Sequence, residues 1–181
     1  EYKPKEVLTI AGIVTNEHKD AAGDFGRSGA GGVVVAADGL SVVFTSSSAL
    51  VAGNPPSGTI YVASTTSSAV AAVSTTVDGT FANGFSDDAD ISADGRYVVF
   101  ASRATNLAAG SNVSYDDIFL KDLHTGSIQR ISTSLTGGDA DGDCTNPKIS
   151  ADGRFVVFSS AATNLSAHKT GSFAADIYVW D

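Results

Sequence analysis

Apolar residues in this chain come in short runs divided by polar turns, and the runs alternate at strand spacing. Residues 91–100, ISADGRYVVF, show the pattern at its clearest. An isoleucine leads into a Ser-Ala-Asp-Gly turn, and the run after it carries paired valines, apolar on both faces as in a strand sandwiched between two sheets. Residues 117–122, DIFLKD, alternate Ile and Phe with polar positions, and 128–134, IQRISTS, form a further short run. No segment keeps a helical period over three turns. The pattern predicts a unit of four strands. A short first strand ends at the turn, RYVVFAS is the second, DIFLKDL the third and IQRISTS the fourth. Asp-Gly is a two-residue hairpin signal, because Gly accepts the positive φ that such turns need.

The unit recurs. Residues 149–158, ISADGRFVVF, differ from 91–100 only in Phe155 against Tyr97, at an offset of 58 from Ile91 to Ile149. A weaker copy, VAADGLSVVF, occupies 35–44, an offset of 56 from Val35 to Ile91. Downstream segments follow in phase: ASRATNLAAG (101–110) with SSAATNLSAH (159–168), DIFLKD with DIYVWD (176–181) and TIYVAS (59–64), and IQRISTS with VAAVSTT (70–76). Only a tandem repeat places several separate segments in register this way. Four short antiparallel strands at a fixed period predict an all-β chain of β-propeller blades, three four-stranded repeats of about 58 residues. The repeats run from about 13–76, 77–134 and 135–181, with 1–181 as a single propeller segment. Length beyond the usual blade falls in loops at about 101–116 and 134–147. A stacked β-solenoid is the alternative architecture, with shorter repeats.

Composition narrows the functions. A net charge of -9 repels phosphate backbones and disfavours nucleic acid as a partner. No apolar run reaches membrane-spanning length. The single cysteine, Cys144, rules out an internal disulfide and a CxxC zinc site, and the three histidines (His18, His124, His168) form no Cys/His signature with it. No Ser–His–Asp spacing, P-loop or dinucleotide fingerprint occurs, so no catalytic residue is expected. The chain begins at Glu1 with no visible signal peptide, which fits a processed form or a piece of something longer.

The run ISADGRYVVFASRATNL, then DIFLKDLHTG, then IQRISTS resembles the TolB-like propeller repeats of secreted and periplasmic bacterial proteins. The resemblance covers nearly the whole chain from about residue 33. The first repeat departs from it, with Ala49 in place of the Asn of Thr-Asn-Leu and Thr59 in place of the Asp of Asp-Ile-Phe. The resemblance implies a six-bladed propeller, an exported location and use as a protein-binding platform, sometimes beside a catalytic domain. It implies no ligand.

EVLTIAG (6–12) resembles a fourth strand, whereas the third repeat stops after its third. The N-terminal strand is therefore expected to complete a last blade. Two arrangements give a full ring: a head-to-tail dimer of two three-bladed chains, or further blades in a longer chain.

Several residues are candidates for chemistry. The loop GGDADGDCTNP (137–147) carries Asp139, Asp141 and Asp143, alternate carboxylates suited to Ca²⁺. Asn83 and Asp88 stand where Asp141 and Asn146 stand one repeat later, with Asp87 and Asp90 nearby, and Asp20 and Asp24 are a degenerate first version. The other reading is a solvated acidic turn whose side chains satisfy backbone N–H groups. Asp117 and Asp176 open the third strand in two repeats and recur with Asn106 and Asn164; they are either rim ligands or turn caps. Asp94, Gly95, Asp152 and Gly153 are turn residues. The in-phase aromatics (Tyr61, Tyr97, Phe100, Phe119, Phe155, Phe158, Tyr178, Trp180) read as packing between blades or as a carbohydrate platform.

Three functions fit: a non-enzymatic exported module for protein binding or assembly, an accessory propeller of a larger prolyl-oligopeptidase-like hydrolase, or a structural subunit of an extracellular fibre. Self-association through incomplete blades is the partner expectation that the blade pattern itself supplies.

Overall fold

The computed structural model describes residues 32–111, 114–167 and 174–181, and every described element is a β-strand. They form three antiparallel sheets in chain order. Blade 1 is β1 (Val34–Val35), β2 (Ser41–Ser46), β3 (Thr59–Ser64) and β4 (Val70–Ala72). Blade 2 is β5 (Ser86–Ile91), β6 (Tyr97–Ser102), β7 (Asp117–Asp122) and β8 (Ile128–Arg130). Blade 3 is β9 (Cys144–Ile149), β10 (Val156–Ser160) and β11 (Asp176–Trp180). Each strand pairs with the next, as in propeller blades, so the all-β propeller expectation holds. The N-terminal strand expected at 6–12 lies outside the described residues.

In blade 2 the second strand is apolar on both faces because both are covered. Val98 and Phe100 pack with Val43 and Ile60 of blade 1, whereas Val99, Ala101 and Ile118 pack with Cys144, Val156 and Phe158 of blade 3. The aromatics stack as cross-strand pairs of the second and third strands: Phe44 on Tyr61 (5.9 Å), Phe100 on Phe119 (5.8 Å) and Phe158 on Tyr178 (5.6 Å). These aromatics thus pack inside and between blades, Trp180 is half-buried against the blade 2–blade 3 core, and Phe155 is exposed.

The Asp-Gly turns occur where expected, with Gly39, Gly95 and Gly153 at φ 72°, 71° and 74°. Their hairpins are wider than the two-residue form. Gly95 N donates to Ser92 O (3.0 Å) and Ser92 N to Tyr97 O (2.9 Å), so residues 93–96 form the loop inside the Ser92–Tyr97 pair. The extra residues arise because Asp and Ser side chains take over part of the turn. Asp94 accepts from Arg96 N (3.0 Å) and Ser92 Oγ (2.6 Å), and Ser92 Oγ accepts from Tyr97 N (2.9 Å). Successive turns are also stitched together across blades: Asp38 N donates to Ala93 O (3.0 Å), and Ala93 N to Ala151 O (3.0 Å).

The first strand departs most from the sequence expectation. It is six residues long in blades 2 and 3, and its polar sequence, SDDADI or CTNPKI, hides it. Part of the segment expected as a loop at 134–147 is therefore strand β9. Each of these strands carries a register shift against its partner, with Asp88 and Asn146 in the left-handed region at φ 51° and 53°. Asp and Asn tolerate that conformation better than other side chains. The fourth strand is shorter than IQRISTS, ending at Arg130.

Candidate functional site

The acidic residues singled out in 137–147 do not converge. Asp139 pairs with Arg130. Asp141 is held by Thr163, whose backbone N and hydroxyl both donate to it, and by Asn164 N (3.3 Å); these bonds keep its carboxyl below its ordinary value. Asp143 accepts from Asp116 N (3.0 Å) and lies 3.9 Å from Arg103. Three alternate carboxylates thus serve three separate protein partners. Among the described residues no group of three or more His, Cys, Asp or Glu side chains is placed to hold a metal ion. Asp20 and Asp24 lie outside the described residues.

What Asp141 and Asn83 share is a clamp. Asn83 Oδ1 accepts from Thr105 N (2.8 Å), and its Nδ2 donates to Thr105 Oγ1 (2.8 Å). Asn106 returns the contact: its Oδ1 accepts from Asn83 N (3.0 Å), and its Nδ2 donates to Phe81 O (2.9 Å). Asn164 does the same in blade 3, accepting from Asp141 N (3.2 Å) and donating to Asp139 O (2.8 Å). The Thr-Asn-Leu motif therefore ties the loop after the second strand to the loop before the first. Glycine makes this approach feasible. A Cβ on Gly84 would sit 2.6 Å from Arg103 C, and one on Gly142 2.8 Å from Ala162 N. The recurrence of these glycines was visible in the sequence, but nothing there signals the backbone contact.

The two strand-start aspartates part company. Asp176 is exposed, whereas Asp117 is buried and bonded to Ser132 Oγ (2.7 Å). Arg130, also buried, lies between Asp117 (3.5 Å) and Asp139. Burial, and then the neighbouring Asp139, raise the Asp117 carboxyl well above the usual carboxylate range; Ser132 and Arg130 oppose the rise only in part. Burial beside a second carboxylate favours the protonated form of Asp117. Sequence reading missed Arg130, since nothing in IQRISTS marks the arginine as inward-facing.

Other buried polar groups are structural. Cys144 and Ser160 (Sγ to Oγ, 3.2 Å) occupy the places of Ser86 and Ser102 (2.9 Å) in blade 2, and burial pushes the thiol up to about 12, which removes nucleophilic character. Lys121 Nζ crosses to blade 1 and donates to Thr75 O (2.9 Å) and Thr76 O (3.2 Å), capping the chain just after β4. Burial lowers its pKa. Asp94 and Asp152 hold the turns, and their Arg neighbours form matching bidentate ion pairs, Arg96 with Asp122 (2.8 Å) and Arg154 with Asp181 (2.9 Å). His124 is exposed in the turn between β7 and β8.

The first strands of blades 2 and 3 border an open cavity. Asp88, Ala89, Asn146, Pro147 and Lys148 line a cavity of about 160 Å³ with Gly32 and Val34. Beside it Asp87 is raised to about 6 by burial and by the charges of Asp88 and Asp116, with Arg103 opposing. Asp90 joins the blades here by accepting from Ile149 N (3.0 Å).

No family model matches the chain, and neither does any curated protein. Solved structures do. The tricorn protease aligns over 83% of this chain and 13% of its own, with 15% identity and a TM-score of 0.52. TolB from Acinetobacter baumannii aligns over 74% of this chain and 29% of its own, with 22% identity and a TM-score of 0.44. A putative TolB from Agrobacterium tumefaciens aligns over 83% and 57%, with 17% identity and a TM-score of 0.33. The chain therefore spans less than a third of the first two proteins, and at these identities the likeness extends to the fold alone. Among the described residues no helix is long and apolar enough to cross a membrane.

Proposed function

We propose that this chain is a TolB-like propeller module of an exported bacterial protein, without catalysis of its own, and that it binds a protein partner over its first-strand surface. The observation that supports this reading is the paired bulge. Asp88 and Asn146 hold left-handed backbone at matching places in consecutive blades (φ 51° and 53°) and both border the 160 Å³ cavity. Local strain repeated at a surface position is a mark of binding sites. Asp87 and Asp88 bring carboxylates to this edge, on a chain of net charge -9, which suits a partner segment bearing Lys or Arg.

Site-directed photo-crosslinking tests it. A photoreactive side chain at position 88 or 146 is expected to give a discrete adduct in the native host, competed by added unmodified protein, and one at the exposed position 124 is not. Asp88→Asn, which removes the charge and keeps a side chain suited to the left-handed backbone, is expected to weaken the adduct at 146 while leaving thermal unfolding unchanged. Equal labelling at all three positions would overturn the reading.

A further inference from the structure

Asn83 is followed by Gly84, and no other asparagine in the chain precedes a glycine. Each half of the pair has its own reason in the fold. Glycine is required because a Cβ at residue 84 would lie 2.6 Å from Arg103 C and 2.7 Å from Ala104 N. Asparagine serves the clamp: its Oδ1 accepts from Thr105 N and its Nδ2 donates to Thr105 Oγ1, both at 2.8 Å. Together they set a side-chain amide, at an exposed position, beside the least hindered backbone nitrogen a chain can offer. A backbone nitrogen one residue on can attack the amide carbon and close a ring. With no Cβ on the attacking residue, nothing obstructs that approach once the side chain is free to turn.

The reaction balances with water alone. Gly84 N gives its proton to water or hydroxide and bonds to Asn83 Cγ. The Cγ–Nδ2 bond breaks, and ammonia leaves behind a cyclic imide. Water then opens the imide. Attack at Cγ restores the ordinary chain with an aspartate at position 83. Attack at the main-chain carbonyl carbon instead leaves isoaspartate, in which the backbone runs through the former side chain. Nothing is oxidised or reduced; an amide becomes a carboxylate, and one negative charge is added to the net -9. Other asparagines are worse placed for this chemistry. Asn54 and Asn146 precede prolines, which have no N–H, and Asn106 and Asn164 precede leucines.

We propose that Asn83 is a hydrolytic modification site, shielded by its clamp in the folded blade and converted, when the clamp opens, to an aspartate that the blade accepts. The clamp opposes the first step, which puckers Cγ and expels Nδ2 and so takes apart the pair of bonds to Thr105. The backbone is held as well: Asn83 N donates to Asn106 Oδ1 (3.0 Å), and Arg103 N donates to Phe85 O (3.1 Å) across the Gly84 contact. The product is a form that the fold already contains. Asp141–Gly142 occupies the corresponding place in blade 3, where Asp141 holds the backbone N and hydroxyl of Thr163 as Asn83 holds those of Thr105. Isoaspartate adds a carbon to the main chain and cannot follow the close approach of Gly84 to Arg103. The inference is independent of the first-strand partner site.

The test is peptide mapping by mass spectrometry on the full chain, held at mildly alkaline pH either folded in buffer or unfolded in guanidinium chloride. Conversion at Asn83 is expected to be at least about tenfold slower in the folded chain, and in the unfolded chain to outpace every other asparagine. Thr105→Val removes the acceptor for Nδ2 and is expected to raise the folded rate about threefold, whereas Thr105→Ser keeps the hydroxyl and is expected to match the wild type. Asn106→Ser, which loosens the hold on Asn83 N, takes the place of Thr105→Val should that variant fail to give wild-type circular dichroism. Asn83→Asp is expected to melt with the wild type, and chains carrying isoaspartate, separated by chromatography, to melt below it. Equal rates in the folded and unfolded chains, clamp variants that leave the folded rate unchanged, or faster conversion at another asparagine would each overturn the inference. An Asn83→Asp chain that melts well below the wild type would overturn the acceptance of the product.

Discussion

Blades 2 and 3 share a ten-residue signature that differs at a single position, yet blade 2 is covered on both faces and blade 3 on one. Val99 and Val157 occupy the same place in the same motif, and so do Ile118 and Ile177; the first of each pair is core and the second is surface. In a repeat fold, stability is close to a sum of unit and neighbour contributions, so a residue's worth is set by the blade beside it rather than by its own motif.

The sharpest way to break this comparison is to truncate both isoleucines. Ile118→Ala is expected to cost about 2–5 kcal/mol, because it opens a cavity between Val99 and Phe158. Ile177→Ala, at an exposed position, is expected to stay within about 0.5 kcal/mol. Urea unfolding reads both. Similar losses at the two positions would mean that blade 3 is already covered.

Next in size are the glycines of the clamp. Gly142→Ala and Gly84→Ala place a methyl group against backbone at 2.8 and 2.6 Å, where no flexible side chain can yield, and each is expected to cost about 1–3 kcal/mol. Gly39→Ala meets nothing within 4 Å and bears only the strain of φ 72°, about 1 kcal/mol. Thermal unfolding that ranks Gly39→Ala above Gly142→Ala would contradict the close approach.

The two seams also differ in charge. Asp117, Arg130 and Asp139 at the blade 2–blade 3 seam correspond to Thr59, Ala72 and Phe81 at the blade 1–blade 2 seam. The folded chain holds the Asp117 proton above the ordinary value of 3.8, and the unfolded chain releases it there. The unfolded state then binds fewer protons, so stability falls as pH rises from about 4 towards neutral. Below that window both states are protonated and the difference disappears. Asp117→Asn is expected to flatten this fall and to raise the neutral-pH melting temperature by roughly 2–4 °C, on the scale of about 1 kcal/mol. Among the described residues Asp87, raised to about 6, contributes to the slope left over. A melting profile against pH that is unchanged in Asp117→Asn would remove the seam cluster as its source.

The parts of the fold legible in the sequence are those that apolar periodicity writes, the second and third strands, together with the Asp-Gly turns between the first and second strands. The first strands were legible only at the end that meets the turn, because the rest of each is polar. SDDADI carries three aspartates and CTNPKI a proline, and a bulge breaks the alternation in each. The acidic loop looked like a cation site because alternate carboxylates fit one; in the fold each is taken by a different donor, from Arg130, Thr163 or Asp116. Arg130 and Lys121 were unreadable for the reverse reason. Charged residues in polar-looking strands give no sign that they point inward, although one sits between two aspartates and the other caps carbonyls of the preceding blade.

The smallest expected effect is the most diagnostic of the clamp. Blade 2 uses Asn83 where blade 3 uses Asp141, and both hold the backbone N and hydroxyl of the threonine after the second strand. Asn83→Asp keeps the acceptor for Thr105 N, and the Thr105 hydroxyl need only turn from accepting to donating. It is expected to change stability by less than about 0.5 kcal/mol. Asn83→Ala leaves Thr105 N without its side-chain acceptor and is expected to cost about 1 kcal/mol. If aspartate proved as harmful as alanine, the blades would not share one clamp chemistry. The acidic residues of 137–147 would then need an explanation specific to blade 3, and a bound cation would be the first to test.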